Sequence, residues 1–239
     1  MSPAMHDPRE PAPPSRCFDA VVFDLDGTLV DTLADIAAAM NAVLAARGFP
    51  THAVDAYKTM VGDGALVLAQ RTLPPAAAGT AGLAEECARE YSRQYQAIGH
   101  GLARPYDGIA ALLDGLRALG VAATVLSNKP HELAVECVDE FFPPGTFRVV
   151  LGQRPGTPRK PDPAGVHEIV REVGAVPDRC LYVGDTPTDM ETAAAAGLPS
   201  VGVTWGFRPE HELRAAGARY IVRHPSGILA LVKGLLPQE

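Results

Sequence analysis

Two aspartates, Asp24 and Asp26, stand two residues apart in the stretch FDLDGTLVDT, directly after the apolar run AVVF. Carboxylates at close range repel each other, and burial at the end of a strand raises the cost of ionising both. A hard divalent cation offsets such repulsion, because Mg²⁺ is bound through one or two carboxylates together with water and substrate phosphate. A carboxylate fixed beside the metal could attack phosphorus and form an aspartyl-phosphate. The pair therefore predicts a metal site with phosphoryl chemistry.

Further polar groups follow later apolar runs of the chain. Ser127 and Asn128 end the run VAATVL, Asp185 ends CLYVG, Asp189 follows four residues later, and Lys160 stands in KPDP. In an open parallel sheet, ligands bind outside the carboxyl ends of the strands. The Lys160 ammonium and the Ser127 hydroxyl suit phosphoryl oxygens, which accept hydrogen bonds from cations and donors. The spacing thus predicts one edge of a sheet that holds both a metal and a phosphoryl group.

Alternating strands and helices are predicted to position these groups. The predicted strands lie in FDAVVFD, VAATVLS, FRVVLG, CLYVGD and SVGVTWG, and predicted helices separate them. The segments ARYIV and SGILALVKGLL close the chain. Such alternation is typical of parallel strands covered by helices. An all-helical stretch, clearest in ADIAAAMNAVLAARG and GLAEECAREYSRQYQAIG, interrupts the pattern after the first strand. We therefore predict an α/β fold, with a Rossmann-like parallel-sheet core and a small α-helical insert after the first strand.

The domain boundaries follow from this pattern. Residues 17–32 and 103–239 are predicted to form the α/β core, and residues 33–102 the helical insert. Residues 1–16 carry five prolines and no apolar segment, which predicts a disordered tail. The two crossings between core and insert, Leu29–Thr32 and Gly101–Pro105, are the predicted hinges.

Composition excludes several classes of protein. The chain has 239 residues, 47% of them hydrophobic, and a formal net charge of -7, whereas a nucleic-acid binder would show a basic patch. No apolar run reaches the roughly 18 residues that a membrane span needs. The four cysteines form no C-x-x-C pair, so neither a disulfide framework nor a zinc site is predicted. We expect a cytoplasmic protein that binds neither nucleic acid nor membrane, and its oligomeric state stays open.

Four segments, in the order DLDGT, SN, KPDP and GDTPTD, resemble the four motifs of the haloacid dehalogenase-like phosphohydrolase superfamily. The resemblance covers about residues 18–206, and the helical insert resembles the small helical cap of that superfamily. It implies that Asp24 is the nucleophile and Asp26 the general acid and base, with Thr28 supporting the phosphoryl site. It also implies that Ser127, Lys160 and the backbone N–H of Asn128 bind the phosphoryl oxygens.

The same resemblance implies a magnesium site. Mg²⁺ would be held by Asp24, the backbone carbonyl oxygen of Asp26 and Asp185, with Asp189 binding it directly or supporting the ligands. Superfamily members that act as dehalogenases, ATPases or phosphonoacetaldehyde hydrolases lack a carboxylate at the position of Asp26. Phosphate-ester hydrolysis or a phosphomutase reaction is therefore implied, and Thr28 favours the phosphatase.

The segment MVGDGALVLAQRTL is the candidate for substrate recognition. Gly62 and Gly64 precede a predicted helix, whose N-terminal N–H groups suit an anion. The segment resembles the cap loop of phosphoglycolate phosphatases, as do PYDGI and GVTWGF elsewhere. Recognition of a small phosphorylated metabolite, first 2-phosphoglycolate, through this loop and Arg71 is therefore implied. The longer approach to Lys160, GQRPGTPRKPDP, departs from the plainest members.

Several alternatives stay open within this chemistry. A pyrophosphatase, a nucleotide or sugar-phosphate phosphatase and a phosphomutase of the same superfamily would use the same core. A non-enzymatic binding protein would be expected to lack one of the reactive groups, yet Asp24, Asp26, Lys160 and Asp185 are all present. The sequence therefore favours an enzyme.

Overall fold

The computed structural model describes residues 16–235. Its strands are β1 (Ala20–Phe23), β2 (Val30–Asp31), β3 (Arg104–Pro105), β4 (Ala122–Pro130), β5 (Val149–Gln153), β6 (Cys180–Gly184), β7 (Ser200–Val203) and β8 (Tyr220–Val222). Its α-helices are α1 (Leu33–Ala46), α2 (Ala65–Thr72), α3 (Pro75–Ala78), α4 (Leu83–Ile98), α5 (Ile109–Ala118), α6 (His131–Phe141), α7 (Ala164–Val173), α8 (Pro187–Ala195), α9 (Glu210–Ala215) and α10 (Pro225–Val232).

The predicted tail, residues 1–16, lies outside the described residues except for Arg16. The Arg16 guanidinium donates a hydrogen bond of 2.7 Å to the carbonyl oxygen of Leu119. Within residues 16–235, no helix combines the length and the apolar character that crossing a membrane would require.

A six-stranded parallel sheet forms the centre of the molecule, in the order β5-β4-β1-β6-β7-β8. The predicted α/β fold is therefore confirmed. All four residues of β1 are fully buried, as expected for a parallel strand covered on both faces. Because β1 lies between β4 and β6, the polar residues that end these three strands meet at one edge.

Side chains of β1 alternate between two apolar layers. Val21 and Phe23 pack in the cluster that contains Ile109 of α5 and Ile228 of α10. Val22 packs on the opposite face, against residues of α7 and α8. This alternation follows from the two-residue period of a strand, and it places helices on both faces of the sheet.

The helices α1 to α4, here called the helical layer (residues 33–98), have a hydrophobic cluster of their own. Tyr57, Tyr95 and Met40 are almost fully buried in it. Leu133 and Phe207, which follow strands of the parallel sheet, join the same cluster. The helical layer therefore packs against the carboxyl edge of the sheet, directly above the polar strand ends.

The two crossings between sheet and helical layer lie side by side. The strands β2 and β3 pair antiparallel, with Val30 opposite Pro105, a pairing that sequence reasoning had missed. The buried carboxylate of Asp35 accepts hydrogen bonds from the backbone N–H groups of Leu102 (3.1 Å) and Ala103 (2.8 Å). The start of α1 is thereby tied to the returning chain.

Candidate active site

Asp24 lies directly after β1 and is buried at the carboxyl edge of the sheet. Its Oδ1 atom accepts a hydrogen bond from the backbone N–H of Leu25 (2.7 Å) and lies 2.9 Å from Lys160 Nζ. Among the described residues, its second oxygen, Oδ2, has no hydrogen-bond partner. Asp24 also lines a cavity beneath the helical layer. One carboxylate oxygen is thus fixed, while the other is available for chemistry.

Three carboxylates converge behind this position. Oxygen atoms of Asp24, Asp185 and Asp189 all lie within 4.8 Å of one another. Burial and the neighbouring Asp189 charge raise the pKa of Asp185 to about 7. Hydrogen bonds from Phe207 and Thr28 favour the ionised form and oppose this rise. Burial, together with Asp189, also raises the pKa of Asp24 well above its usual range, although Lys160 opposes the shift. Ionising all three carboxylates in this buried cluster is therefore unfavourable without a further cation.

Lys160 is the buried cation of this cluster. Its Nζ atom lies 2.9 Å from Asp24 Oδ1 and 2.7 Å from Asp189 Oδ1. Burial alone would lower the pKa of Lys160, but the two carboxylates outweigh it and hold that pKa well above its usual range. The other oxygen of Asp189 accepts hydrogen bonds from the backbone N–H and the hydroxyl of Thr186 and so caps α8. Asp189 therefore fixes both the loop after β6 and Lys160.

The Thr28 side chain contacts Asp185 and does not line the cavity. Its hydroxyl donates to Asp185 Oδ1 (2.9 Å), and its carbonyl oxygen accepts from the Trp205 indole N–H (3.0 Å). The backbone N–H of Phe207 donates to Asp185 Oδ2 (2.8 Å). These bonds fix the orientation of the Asp185 carboxylate. The sequence did not predict that the loop after β7, through Trp205 and Phe207, would help to hold it.

Two glycines make room for the Asp185 side chain. A Cβ atom on Gly206 would clash with Asp185 Cβ and with the carbonyl oxygen of Gly27. Gly27 itself adopts a positive φ of 86°, and a Cβ there would meet Asp185 Oδ2. The chain therefore needs glycine at both positions to bring its backbone against the carboxylate.

Asp26 is more exposed than Asp24 and faces the same cavity. Its Oδ1 atom accepts hydrogen bonds from the Thr32 hydroxyl (2.7 Å) and from Lys129 Nζ (2.9 Å). Among the described residues, Oδ2 has no partner. Asp26 is thus anchored through one oxygen, with the other free to exchange a proton.

Ser127 and Asn128 are buried in the last part of β4. The Ser127 side chain lines the cavity beside Asp24, and its hydroxyl accepts from the backbone N–H of Lys129 (3.2 Å). The Asn128 side chain accepts from the backbone N–H of Lys160 (2.9 Å) and donates to the carbonyl oxygens of Lys160 and Gly62 (3.1 Å each). Asn128 therefore positions the backbone of Lys160 and links it to the helical layer.

The predicted substrate loop divides into two parts. Gly62 and Gly64 line the cavity with positive φ values of 111° and 86°, and a Cβ on Gly64 would lie 3.2 Å from the Asn128 carbonyl oxygen. Arg71 does not line the cavity: its guanidinium pairs with Asp63 (2.6 Å) and donates to the Met60 carbonyl oxygen. Asp63 in turn accepts from the Thr188 hydroxyl (2.9 Å). Arg71 thus braces the loop against the core.

The donor set fits a divalent cation. Asp24, Asp185 and Asp189 offer hard carboxylate oxygens within one small volume, which is the ligand chemistry that Mg²⁺ and similar ions prefer. Burial and the neighbouring Asp189 charge raise the pKa values of Asp24 and Asp185, and a bound cation would offset the cost of ionising both carboxylates. The side chains of Asp24, Asp185 and Asp189, which were predicted to hold or support the ion, therefore lie together. The Asp26 side chain faces the cavity instead.

An Asp185→Asn variant should distinguish two effects on stability: the cost of burying a charged carboxylate and the gain from binding a metal ion. At pH 8, above the Asp185 pKa of about 7, the metal-free variant is expected to be more stable than the parent chain by about 2 kcal/mol, because one buried negative charge is gone. That corresponds to a rise in Tm of roughly 4–8 °C. Adding Mg²⁺ should raise the Tm of the parent chain and leave that of the variant almost unchanged.

Thermal unfolding with EDTA or with excess Mg²⁺ measures both effects. Asp114→Asn, which changes an exposed carboxylate on α5, is the matched control and should alter neither Tm. A metal-free Asp185→Asn protein that is less stable than the parent, or that keeps the full Mg²⁺ shift, would contradict this account of the cluster.

Comparisons with known proteins agree with this site. The family model of the haloacid dehalogenase-like hydrolases matches residues 21–203. The phosphoglycolate phosphatase of Pseudomonas putida is 33% identical over 91% of this chain and 78% of its own length. The phosphoglycolate phosphatase of Xylella fastidiosa is 33% identical over 84% of this chain and 86% of its own length. A crystal structure from Lactobacillus delbrueckii subsp. bulgaricus, named a candidate phosphoglycolate phosphatase, superimposes with a TM-score of 0.84 at 30% identity, covering 92% of this chain and 99% of that one.

The chain belongs to the haloacid dehalogenase-like hydrolase family, as its fold, acidic cluster and family match show. Within that family it is phosphoglycolate phosphatase-like, and it is a phosphatase, a phosphoric monoester hydrolase.

Proposed function

We propose that this phosphatase hydrolyses a small phosphomonoester, first of all 2-phosphoglycolate, through an aspartyl-phosphate on Asp24. The position of Asp24 carries the proposal. It stands at the end of β1 with one oxygen held by Leu25 and Lys160, and it lines the cavity with Ser127 beside it. A carboxylate held in this way can act as a nucleophile toward a phosphoryl group that Lys160 and Ser127 bind.

The reaction then follows in two displacements. An Asp24 oxygen attacks phosphorus, the bond from phosphorus to the leaving oxygen breaks, and Asp26 gives its proton to that oxygen. Water next attacks phosphorus, Asp26 takes a proton from it, and the bond to Asp24 breaks, which releases phosphate. The anchoring of Asp26 by Thr32 and Lys129 supports this role, because it leaves one oxygen free on the cavity side.

We assign Mg²⁺ as the divalent ion. Asp24, the Asp26 carbonyl oxygen and Asp185 would hold it, with Asp189 supporting them through Lys160 and Thr186. When bound, the ion supplies positive charge to the carboxylates and to the phosphoryl oxygens. Magnesium is favoured over larger ions because the site offers few protein ligands and leaves room for water and phosphate.

The size of the cavity supports a small substrate. About 50 Å³ is open to the centres of water molecules, enough for only a few of them. Apolar side chains such as Ile36 and Leu68 close it from the helical layer. A hexose or a nucleoside would need a wider opening, whereas a two-carbon leaving group needs little more room than is present. The names of the relatives point to the same substrate class.

We also propose that residues 33–102 act as a cap that opens for substrate and product, with hinges at Leu29–Thr32 and Gly101–Pro105. The separate hydrophobic cluster of the helical layer and the single pairing of β2 with β3 support this. Closure would exclude water during the first displacement. Open and closed structures whose backbone angles do not change at these crossings would contradict the hinge positions.

We place the activity in the cytoplasm. Cys87, Cys137 and Cys180 are buried with free thiols, and burial raises the pKa of Cys137 to about 12. Reduced thiols of this kind suit a reducing compartment. Recovery of the protein from a secreted or membrane fraction would contradict this assignment.

The substrate proposal is tested by phosphate release across a panel in the presence of Mg²⁺. The panel holds 2-phosphoglycolate, pyrophosphate, nucleoside monophosphates and hexose phosphates. We expect kcat/KM for 2-phosphoglycolate to exceed that for any hexose phosphate by about 100-fold, because a site built to pair a charged group discriminates against substrates that lack it. Comparable kcat/KM values for all members of the panel would indicate a phosphatase of broad specificity. Isomerised sugar phosphate without net release of phosphate would indicate a phosphomutase.

A further inference from the structure

Lys129 is a buried lysine that sequence reasoning had left without a role. It lies in the last part of β4, and its side chain is only 3% exposed. Its Nζ atom lies 2.9 Å from Asp26 Oδ1, 2.9 Å from the Tyr95 hydroxyl and 4.1 Å from the centre of the Tyr95 ring. Burying an ammonium group is unfavourable unless partners offset the lost hydration. Packing of the core alone does not explain a lysine at this position.

Lys129 is the only cation that lines the cavity, as far as residues 16–235 show. Lys160 lies behind Asp24 and is engaged with Asp24 and Asp189. Arg71, the cation that the sequence had suggested for the substrate, pairs with Asp63 outside the cavity. A second anionic group on a bound substrate would therefore meet Lys129 before any other positive charge.

The distances also match a short substrate. A general acid lies about 3 Å from the oxygen that it protonates, so Asp26 fixes the approximate place of the leaving oxygen. Lys129 is in hydrogen-bond contact with that same carboxylate. Lys129 bonds Oδ1, whereas Oδ2 faces the leaving oxygen, so the path through the carboxylate places the ammonium within roughly 8 Å of that oxygen. A carboxylate separated from that oxygen by a single carbon atom falls within reach of the ammonium.

We propose that Lys129 is the specificity-determining residue that binds the carboxylate of a short phosphorylated hydroxy acid, and that Tyr95 aims it. This inference rests on the proposed function and names the residue that selects its substrate. An ammonium has three N–H donors, of which Asp26 and Tyr95 use two, so one is left for the substrate. The beginning of α2, at Gly64 and Ala65, lines the same cavity and adds an environment favourable to an anion.

Tyr95 connects this recognition to the helical layer. It belongs to α4, whereas Lys129 belongs to the sheet, and their contact is one of the bonds that join the two parts. The ring face and the hydroxyl of Tyr95 both act on the ammonium, which restricts its direction. Recognition of the carboxylate is therefore complete only when α4 lies against the sheet edge.

The test compares two substrates that differ in one group. Ethyl phosphate carries a methyl group where 2-phosphoglycolate carries its carboxylate, and both present the same leaving oxygen to Asp26. In Lys129→Met, kcat/KM for 2-phosphoglycolate should fall about 100-fold further than kcat/KM for ethyl phosphate, since a charge-assisted hydrogen bond is lost for one substrate alone. Lys129→Gln, which keeps a donor for Asp26 and Tyr95 but not the charge, carries the same expectation.

Arg89→Met is the matched control, because it removes an exposed cation of the helical layer that lies outside the cavity. It should leave the ratio of the two kcat/KM values unchanged. An equal fall for both substrates in the Lys129 variants would show that Lys129 only positions Asp26, and would overturn the inference. So would a ratio that changes in Arg89→Met and not in Lys129→Met.

The substrate assignment and the proposed role of Lys129 can be contradicted by different results. A parent enzyme that prefers ethyl phosphate or pyrophosphate to 2-phosphoglycolate would overturn the substrate assignment and this inference with it. A parent enzyme that prefers 2-phosphoglycolate, with the preference unchanged in Lys129→Met and Lys129→Gln, would leave the proposed function intact and overturn the inference alone.

Discussion

The Asp24→Asn variant is expected to lose turnover by at least about 10⁴-fold, because it removes the proposed nucleophile and with it the proposed covalent route. The amide is close to the carboxylate in size, and its oxygen can still accept from the Leu25 N–H. What it lacks is the charge that attacks phosphorus. The loss should therefore appear in kcat rather than in KM.

Folding should survive this change. Asp24 is buried among carboxylates, and its pKa is raised well above its usual range by burial and by Asp189. Replacing it with a neutral group relieves repulsion, while Lys160 keeps its contact with Asp189. We expect a Tm equal to or higher than that of the parent chain. An inactive variant with unchanged Tm separates a chemical role for Asp24 from a structural one.

Two measurements check the prediction. Steady-state phosphate release gives the loss of turnover, and acid quenching followed by peptide mass analysis shows whether the parent chain carries a phosphoryl group on Asp24. Asp178→Asn, a change in the turn before β6 and away from the cavity, is the control and should keep full turnover. Turnover by Asp24→Asn near the parent rate, or a phosphoryl group on another residue, would rule out the proposed nucleophile.

The sheet edge could be predicted from the sequence because strand ends are encoded locally. Short apolar runs ending in Asp24, Ser127 and Asp185 mark three strands, and parallel strands direct their carboxyl ends to one side. The adjacency of β4, β1 and β6 then brings these residues together. Lys160 was placed by its motif, and its contacts with Asp24 and Asp189 agree with that position.

The side chains between sheet and helical layer could not be predicted in the same way. Arg71 turns toward Asp63, because a partner eight residues before it in the sequence offers a close ion pair. Lys129 is buried by Tyr95, which lies 34 residues away and on another element. A lysine after a strand is usually solvated, so only the packing of α4 shows that this one faces the cavity. Local patterns carry no information on such contacts.

The requirement for Gly206 was also hidden from sequence reasoning. Its backbone lies against Asp185, and a Cβ there would clash with both Asp185 and Gly27. Neither periodicity nor turn chemistry distinguishes this glycine from one in an ordinary loop. Crowding of this kind arises from the approach of two loops, the one after β1 and the one after β7, which only the fold defines.

The Lys160→Met variant should lose both stability and activity. Removing the cation leaves Asp24 and Asp189 buried beside each other without their shared partner. Breaking a buried ion pair from one side costs about 3–5 kcal/mol, and for a chain of this size the Tm should fall by roughly 6–20 °C. Turnover should fall by about 10²–10³-fold in addition, because the donor proposed for the phosphoryl oxygens is lost.

Mg²⁺ should separate the two effects. A divalent ion bound among the same carboxylates restores positive charge, so part of the lost Tm is expected to return on its addition. The lost turnover should not return, since an ion held by Asp24 and Asp185 does not replace the ammonium on the Asp189 side. Thermal unfolding and phosphate release, each with and without Mg²⁺, measure this difference.

Arg159→Met provides the matched control, because it removes the cation next in sequence. Arg159 is exposed and, within residues 16–235, donates only to the carbonyl oxygen of Asp63. Its replacement should change stability by no more than about 0.5 kcal/mol. A Lys160→Met protein that unfolds and turns over like Arg159→Met would mean that the carboxylates around Asp24 do not depend on Lys160. Within residues 16–235, Lys160 is the one ammonium that pairs with the three clustered carboxylates, so the opposite result is expected.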